Sequence, residues 1–191
     1  TDALPAPTSS SYTYYIGEND VAPTTTTVET IAGRTQTEHV ANNGTYYFYG
    51  STGSNLISSL SGATGNLQCV TATIFEAGSV WQSFGGGQRS QKVFDISPTT
   101  NPGSSYTLGL YITAAELAGK PPASVKIAKT TAATMAGANS ANTIIAASTS
   151  FTAYGSDYLF TAPFTGFSKF FLIDNNVVLP VDLIAFSGYL N

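Results

Sequence analysis

The sequence predicts an all-β protein: an antiparallel β-sandwich, jelly-roll or immunoglobulin-like, with almost no helix. Short apolar or alternating stretches recur roughly every 10–15 residues, and clusters of Gly, Pro, Asn and Ser separate them, as in known sandwiches. Within these stretches β-branched and aromatic residues predominate, which favours strands over helices. We therefore expect about ten to twelve short strands.

The predicted strands follow one another along most of the chain. The Asn-Gly pair in "ANNGT" precedes "YYFYG" and predicts a hairpin, because both residues tolerate positive φ. Three consecutive glycines, at positions 85–87, predict a second hairpin tip between "SVWQSF" and "QRSQKVFDISP". The other predicted strands are "SYTYYIG", "TTTTVETIAG", "RTQTEHV", "NLISSLSG", "NLQCVTATIFEAG", "SSYTLGLYIT", "SVKIAKT", "TIIAASTSFTAYG", "DYLFTAPFTG", "FSKFFLID" and "VVLPVDLIAFSG".

Two of the predicted elements carry more specific expectations. The stretch "TAAELAGK" predicts one helical turn, in which Thr113 caps the start, Glu116 completes a capping box and Gly119 closes the end. In "SVKIAKT" the apolar residues are expected to face the core, and Lys126 and Lys129 are expected on the solvent side.

Few residues are charged, and this limits the partners that the chain can have. Charged residues make up 9% of the sequence, against roughly 25% in an average soluble domain. The net charge of −4 comes without a cluster of Lys and Arg, so we expect no nucleic acid as partner. A neutral polar surface repels its neighbours weakly and suits an extracellular protein that packs against others. No stretch approaches the ~20 apolar residues of a membrane helix, so no membrane insertion is expected.

Composition divides the chain into three parts. Residues 1–11 are rich in Pro, Ser and Thr and are expected to be flexible or extended, like the new N-terminus left when a signal peptide is removed. Residues 12–178 are expected to form the sandwich domain. Residues 179–191 are expected to form a C-terminal strand or tail that connects to a neighbouring domain or subunit.

Residues suited to catalysis or metal binding are sparse. The single histidine, His39, is predicted to point from a strand into solvent, and the single cysteine, Cys69, is predicted to be buried. Two such residues cannot supply the four ligands of a structural zinc site. Calcium is a minor alternative at "GENDVA" or "IDNN", although acidic turns of this kind are usually only turns. We expect no cofactor, no catalytic residues and no enzymatic activity.

Aromatic residues leave one binding function open as an alternative. In "TYYFYG", Tyr46 and Phe48 share one strand face and Tyr47 and Tyr49 share the other, so one pair can be core and the other exposed. Exposed Tyr47 and Tyr49, with Trp81, would form a surface on which sugar rings stack. Under this alternative the chain is a carbohydrate-binding accessory module of a secreted polysaccharide-degrading enzyme.

Four short motifs, "FDISP", "AAELAG", "GFSKF" and "LPVDLIAF", occur in this order. The matching residues are Phe94, Asp95, Ile96, Pro98, Glu116, Leu117, Gly119, Gly166, Phe167, Ser168, Phe170, Leu179, Pro180, Val181, Asp182, Leu183 and Phe186. Over roughly residues 40–190 the chain resembles the β-sandwich module that precedes the C-terminal sorting region of large secreted Bacteroidetes proteins. The resemblance implies export by the type IX route and a non-catalytic role at the cell surface, and it supplies no catalytic residues.

The apolar tail indicates how the domain would be used. Beyond Pro180 both strand faces are partly apolar, and exposed Leu183, Ile184 and Phe186 would favour association at an open sheet edge. We expect the tail to pair within its own sandwich, to pack on an adjacent domain or to add to a neighbour's sheet. The expected contact residues of the tail are Leu179, Val181, Leu183, Ile184, Phe186 and Tyr189, and those near the N-terminus are Tyr12, Tyr14, Tyr15 and Ile16.

These features together predict a non-catalytic, extracellular structural or adhesive β-sandwich at the cell surface. Its expected partners are further copies of itself, in an oligomer or a surface fibre, or the adjacent domains of a larger surface protein. Assembly would proceed by β-strand addition and apolar packing. Glycans are expected partners only under the alternative function.

Overall fold

The computed structural model describes residues 23–24, 27–50 and 55–174, and it confirms the all-β class. Twelve strands form two packed antiparallel sheets, with one short helix and three 3₁₀ turns in the connections. The strands are β1 (Thr35–Val40), β2 (Thr45–Tyr49), β3 (Leu56–Ser61), β4 (Gln68–Glu76), β5 (Gln82–Phe84), β6 (Gly87–Pro98), β7 (Ser105–Ile112), β8 (Val125–Thr130), β9 (Thr143–Ile145), β10 (Ser150–Tyr154), β11 (Asp157–Thr165) and β12 (Ser168–Asp174). The helix is α1 (Ala114–Leu117), and the 3₁₀ turns are Pro122–Ser124, Met135–Gly137 and Ser140–Asn142.

The chain passes repeatedly between the two sheets. The seven-stranded sheet has the order β1-β4-β6-β12-β8-β9, and β5 pairs with β6 as a hairpin. The five-stranded sheet has the order β10-β11-β7-β3-β2. Several consecutive strands, such as β6 and β7 or β9 and β10, therefore lie in different sheets. Neighbouring strands are mostly far apart in the sequence.

The main core lies between the sheets and is built by alternation along the strands. On β7, Tyr106, Leu108 and Leu110 all face this core, as predicted, and on β6 Phe94 and Ile96 do the same. These five side chains are at most 3% exposed. Burying a large apolar side chain contributes roughly 1.5–3 kcal/mol, so this layer is the main source of stability.

A second, smaller cluster covers part of the outer face of the seven-stranded sheet. Phe171 and Ile173 alternate with core residues of β12 and so point outward from the sandwich. Met135, in the connection between β8 and β9, packs over them together with Phe84, whose ring meets that of Phe171 edge-on at 5.4 Å. The long β8–β9 connection is thus tied to the sheet face.

The predicted Asn-Gly hairpin is wrong, although the turn itself forms. Asn43 adopts a left-handed φ of 65°, as the sequence suggests. However, β1 pairs with β4 and β2 pairs with β3, so the strands on either side of the turn belong to different sheets. Local residues determine the turn, whereas the pairing partner is determined by which faces the strands can bury.

Two predicted strands also differ from the observed ones. The stretch "TIIAASTSFTAYG" is not one strand, because it divides into β9 and β10, which lie in different sheets. In "TTTTVETIAG" the described residues form a single parallel bridge, between Val28 and Leu56. β-branched composition alone did not distinguish an extended segment from a paired strand.

The predicted solvent position of Lys129 is wrong. Lys129 lies two residues after Ile127 and four after Val125, so alternation places all three on the inner side of β8. Its ammonium donates to the backbone carbonyls of Thr165 and of Gly166, the latter at 3.2 Å. Burial lowers the pKa of the Lys129 side chain.

The predicted capping box is confirmed. The Thr113 hydroxyl accepts from the Glu116 backbone N–H at 3.1 Å, and a Glu116 carboxylate oxygen accepts from the Thr113 N–H at 2.8 Å. The left-handed residue at the helix end is Ala118, with φ of 51°, and Gly119 follows with φ of 78°. In the described part of the chain no helix has the length and apolar character needed to cross a membrane.

Candidate functional site

A groove of about 690 Å³ crosses the outer face of the seven-stranded sheet. Its size falls in the range of about 300–1,000 Å³ that is usual for small-molecule sites. The apolar walls include Phe75 on β4, Phe84 on β5 and Met135 in the 3₁₀ turn. The polar side chains that line it are Glu76, Gln82, Ser83, Arg89 and Gln91.

A second cavity of about 540 Å³ continues this groove. Ser83, Phe84 and Ala138 line both cavities, so Phe84 forms part of the boundary between them. The second cavity extends between the β5–β6 hairpin tip at residues 85–86 and the segment 139–140. Together the two cavities form one elongated depression, which is called the outer groove below.

Arg89 organises the polar side of the outer groove. Its side chain is only 7% exposed, and both terminal nitrogens lie 3.4 Å from Oε2 of Glu76. The guanidinium also donates to Oε1 of Gln82 and, at 2.9 Å, to the Ser90 carbonyl. Arg89 therefore holds a carboxylate and an amide side by side. Among the described residues, Oε1 of Glu76 and Nε2 of Gln82 make no hydrogen bond.

Gln91 is positioned by a backbone hydrogen bond, and Gly78 leaves the space that its side chain occupies. Its Oε1 accepts a hydrogen bond from the Val80 backbone N–H at 3.2 Å. A Cβ at Gly78 would lie 2.1 Å from the same oxygen, and Gly78 has a φ of 137°, so a larger residue would clash and be strained. The Gln91 amide is thereby fixed at the groove with its N–H₂ group not used in that bond.

The predicted sugar-stacking residues Tyr47 and Tyr49 lie on the opposite face of the molecule from the outer groove. They are half-buried and pack on the outer face of the five-stranded sheet around Tyr111, which is 1% exposed. The ring of Tyr154 meets that of Tyr111 edge-on at 4.9 Å. Burial raises the pKa of the phenols of Tyr49, Tyr111 and Tyr154. The structure thus joins Tyr47 and Tyr49 into a larger tyrosine cluster.

Trp81 belongs to a different part of the structure from this tyrosine cluster. Its indole N–H donates to the Glu116 carbonyl at 3.0 Å, and its ring packs against the main core. The ammonium of Lys120 lies 4.6 Å from the ring centre. One side of the Trp81 ring is therefore already in contact with a cation.

The structure makes His39 and Cys69 cross-strand neighbours. They lie directly opposite each other in the register of β1 and β4. Cys69 is half-buried and not fully buried as predicted, because Val70 and Ala72 take the core positions of β4 and alternation turns Cys69 outward. Within the described residues no group of three or more His, Cys, Asp or Glu side chains could hold a metal ion.

Of the two minor calcium candidates, only Asp174 lies within the described residues. One of its oxygens accepts from the Gln88 backbone N–H at 3.3 Å, and the other pairs with the Lys120 ammonium at 3.3 Å. Both oxygens are therefore already used within the chain. The remaining candidates, residues 18–20 and 175–176, lie outside the described residues.

Sequence reasoning missed a buried ion pair between Lys92 and Glu116. The Lys92 ammonium is fully buried, 3.1 Å from Oε2 of Glu116, and it donates to the carbonyls of Glu29 at 2.6 Å and Tyr111 at 3.1 Å. Burial lowers the pKa of Lys92, and the Glu116 charge opposes this shift. The signal was present, because alternation along β6 puts Lys92 on the same face as Phe94. The pair links β6, β7, α1 and the segment before β1.

The predicted assembly residues at the two ends of the chain lie outside the described residues. These are Leu179, Val181, Leu183, Ile184, Phe186 and Tyr189 in the tail, and Tyr12, Tyr14, Tyr15 and Ile16 near the N-terminus.

Within the described residues, two edge strands expose large apolar side chains. β9 pairs only with β8, and β10 pairs only with β11. Ile144 on β9 is 60% exposed and Phe151 on β10 is 42% exposed. The segment 130–156, which contains both edge strands, has no charged residue and no proline.

The chain matches no family model, no curated protein and no solved structure. The fold and the surfaces described above are therefore the basis for assigning a function.

Proposed function

We propose that this protein is a non-catalytic, extracellular structural or adhesive β-sandwich that associates with other copies by β-strand addition. The proposed location is the cell surface, which the low charge and the resemblance to a secreted sandwich module support. The observation that carries the proposal is that the edge strands β10 and β9, one in each sheet, bear no charge and each expose a large apolar side chain.

An edge strand of this kind lacks the usual protection against pairing. Natural sheets protect their edges with charged residues, prolines or bulges, because unpaired backbone groups are templates for another strand. The segment 130–156 offers neither charge nor proline, and Phe151 lies beside the backbone groups that β11 does not use. Addition of a strand from a second copy would pair those groups and cover Phe151.

The end segments of a second copy are the proposed donors. Residues 179–191 carry apolar side chains on both strand faces, and they lack charge apart from Asp182. Such a segment would hydrogen-bond through its backbone and place alternate side chains against the sandwich. The short N-terminal stretch around Tyr14 is the second proposed donor.

The test places a charge on the edge strand. Phe151→Lys should shift the protein from oligomers towards monomers, because a buried ammonium in the added sheet has no partner there. Analytical ultracentrifugation over a wide concentration range measures the change. Val80→Lys is the matched control, since Val80 is 66% exposed in the β4–β5 connection, and it should leave association unchanged.

The proposal fails if the unmodified chain stays monomeric at high concentration. It also fails if Phe151→Lys associates as the unmodified chain does while both remain folded by circular dichroism.

A further inference from the structure

We propose that the outer groove is a binding site for a neutral polysaccharide. This function is independent of self-association, and the site differs from the Tyr47, Tyr49 and Trp81 surface that the sequence alone suggests. Three properties of the groove support this ligand: its charge balance, its mixture of donors and acceptors, and its shape.

The charge balance of the groove disfavours an anionic ligand. Arg89 and Glu76 are the charged side chains that line the groove, and they neutralise each other at 3.4 Å. An anionic ligand would meet the Glu76 carboxylate, which is 33% exposed, whereas the Arg89 guanidinium is only 7% exposed and is already paired with it. A neutral ligand avoids this repulsion.

The groove offers both donors and acceptors to such a ligand. Oε1 of Glu76 accepts, while the amide nitrogens of Gln82 and Gln91 donate, because their oxygens are already bonded to Arg89 and to the Val80 N–H. A sugar hydroxyl both donates and accepts, so neighbouring hydroxyls would use this mixed set. Arg89 and the Val80 backbone N–H hold these groups in place before the ligand arrives, which reduces the ordering cost of binding.

The remaining walls suit the apolar faces of sugar rings. Phe75 is 40% exposed, and the Lys169 ammonium lies 4.6 Å from its ring centre, so a sugar would pack on the ring face that Lys169 leaves uncovered. Phe84, which is 8% exposed, lines both cavities. Met135 and Ala138 form the apolar wall opposite the polar strands. Cavities of about 690 and 540 Å³ in a row, open to solvent, fit an extended chain of several sugars better than a single small molecule.

Native affinity electrophoresis tests the proposal directly. The intact protein is run through gels that contain a neutral polysaccharide (β-glucan, xylan, mannan or starch) or an anionic one (alginate or polygalacturonate). At least one neutral polysaccharide should retard the protein, and the anionic ones should not. Gln82→Ala and Phe75→Ala should each raise the dissociation constant obtained from that retardation about tenfold, which is the effect of losing one good contact.

Control variants separate this site from the other surfaces. Thr107→Ala, on the exposed face of β7, should bind as the unmodified protein does. The double variant Tyr47→Ala/Tyr49→Ala should also bind normally, and so should the edge variant Phe151→Lys. Thermal unfolding of each variant checks that the fold is kept.

Three results would overturn the proposal. These are no retardation by any neutral polysaccharide, stronger retardation by the anionic ones, and loss of binding in the tyrosine double variant but not in Gln82→Ala.

Discussion

Buried polar side chains anchor this sandwich at the residue scale. Tyr106 is 3% exposed, its hydroxyl donates to the Gly166 carbonyl at 2.8 Å, and its ring stacks on Phe167 at 4.2 Å between centres. Burial raises the pKa of this phenol far above its ordinary value of about 10. The phenol therefore stays protonated in the folded protein at a pH where it ionises in the unfolded chain.

This difference predicts a loss of stability at alkaline pH. Above about pH 10 the folded state retains more protons than the unfolded state, so the free energy of unfolding falls as the pH rises. Tyr106→Phe should cost about 1 kcal/mol at pH 7, because the hydrogen bond to Gly166 is lost. Above pH 10 the free energy of unfolding of the variant should fall less steeply with pH than that of the unmodified protein. The difference between the two slopes should be about 1.4 kcal/mol per pH unit.

Urea unfolding between pH 7 and pH 11.5 measures both effects. Parallel stability curves for the two proteins above pH 10 would show that Tyr106 titrates alike in the folded and unfolded states. Tyr111, whose pKa is also raised by burial, should keep part of the slope in the variant.

The central strand β7 shows at the element scale how tightly the five-stranded sheet is packed. Gly109 lies between β3 and β11, opposite Ser59 on one side and Thr161 on the other. A Cβ at Gly109 would lie 2.3 Å from the Ser59 hydroxyl oxygen and 3.0 Å from a methyl carbon of Leu159. An added methyl group on the outer face here would therefore require the Ser59 hydroxyl and the Leu159 methyl group to move.

Gly109→Ala should accordingly destabilise the protein by about 1–3 kcal/mol, the usual cost of overpacking. Gly103→Ala is the matched control, because a Cβ there meets no atom within 4 Å. The control should be neutral or slightly stabilising, since alanine restricts the unfolded chain. Thermal unfolding measures the melting temperatures of the two variants. Equal melting temperatures would show that Gly109 is not tightly packed.

Elements with strong local signals could be predicted from the sequence. Alternation located β7 and its core face, and the Thr113–Glu116 capping box located α1. Which strands pair was harder to predict, because the Asn43 turn has the residues of a hairpin but joins strands of different sheets. The pairing partner of each strand depends on burial across the whole sandwich, which no short segment encodes.

The outer groove could not be predicted from the sequence for the same reason. Gln82 and Arg89 face each other across the β5–β6 register, and Glu76 reaches them from the end of β4 after a register shift beside Val93. No spacing in the sequence signals that these residues converge. Lys92 was predictable in principle, because it alternates with the core residues of β6.

At the scale of the whole molecule, several charges of the described residues are compensated in pairs. Four ion pairs, Arg89–Glu76, Lys92–Glu116, Lys120–Asp174 and Lys169–Asp95, join cations and carboxylates of the described residues. Such pairing leaves little field to repel a second copy. A sandwich with a neutral polar surface and an apolar open edge is therefore suited to close contact with its own kind.

At the scale of the whole molecule, the last prediction concerns the tail. Removing residues 179–191 should strongly weaken self-association, because the main donor is lost, while the protein stays folded. Both sheets and the clusters that hold them together are built by residues 28–174, so the shortened chain should unfold cooperatively. A synthetic peptide of residues 179–191 should then bind the shortened protein, because it supplies the missing strand.

The same peptide provides the control for this experiment. It should not bind a shortened protein that also carries Phe151→Lys, since the charge blocks the edge at which the strand would add. Sedimentation measures association, and fluorescence anisotropy of the labelled peptide measures binding. Normal association of the shortened chain would show that the tail is not the donor, and its unfolding would show that the tail belongs to its own sandwich.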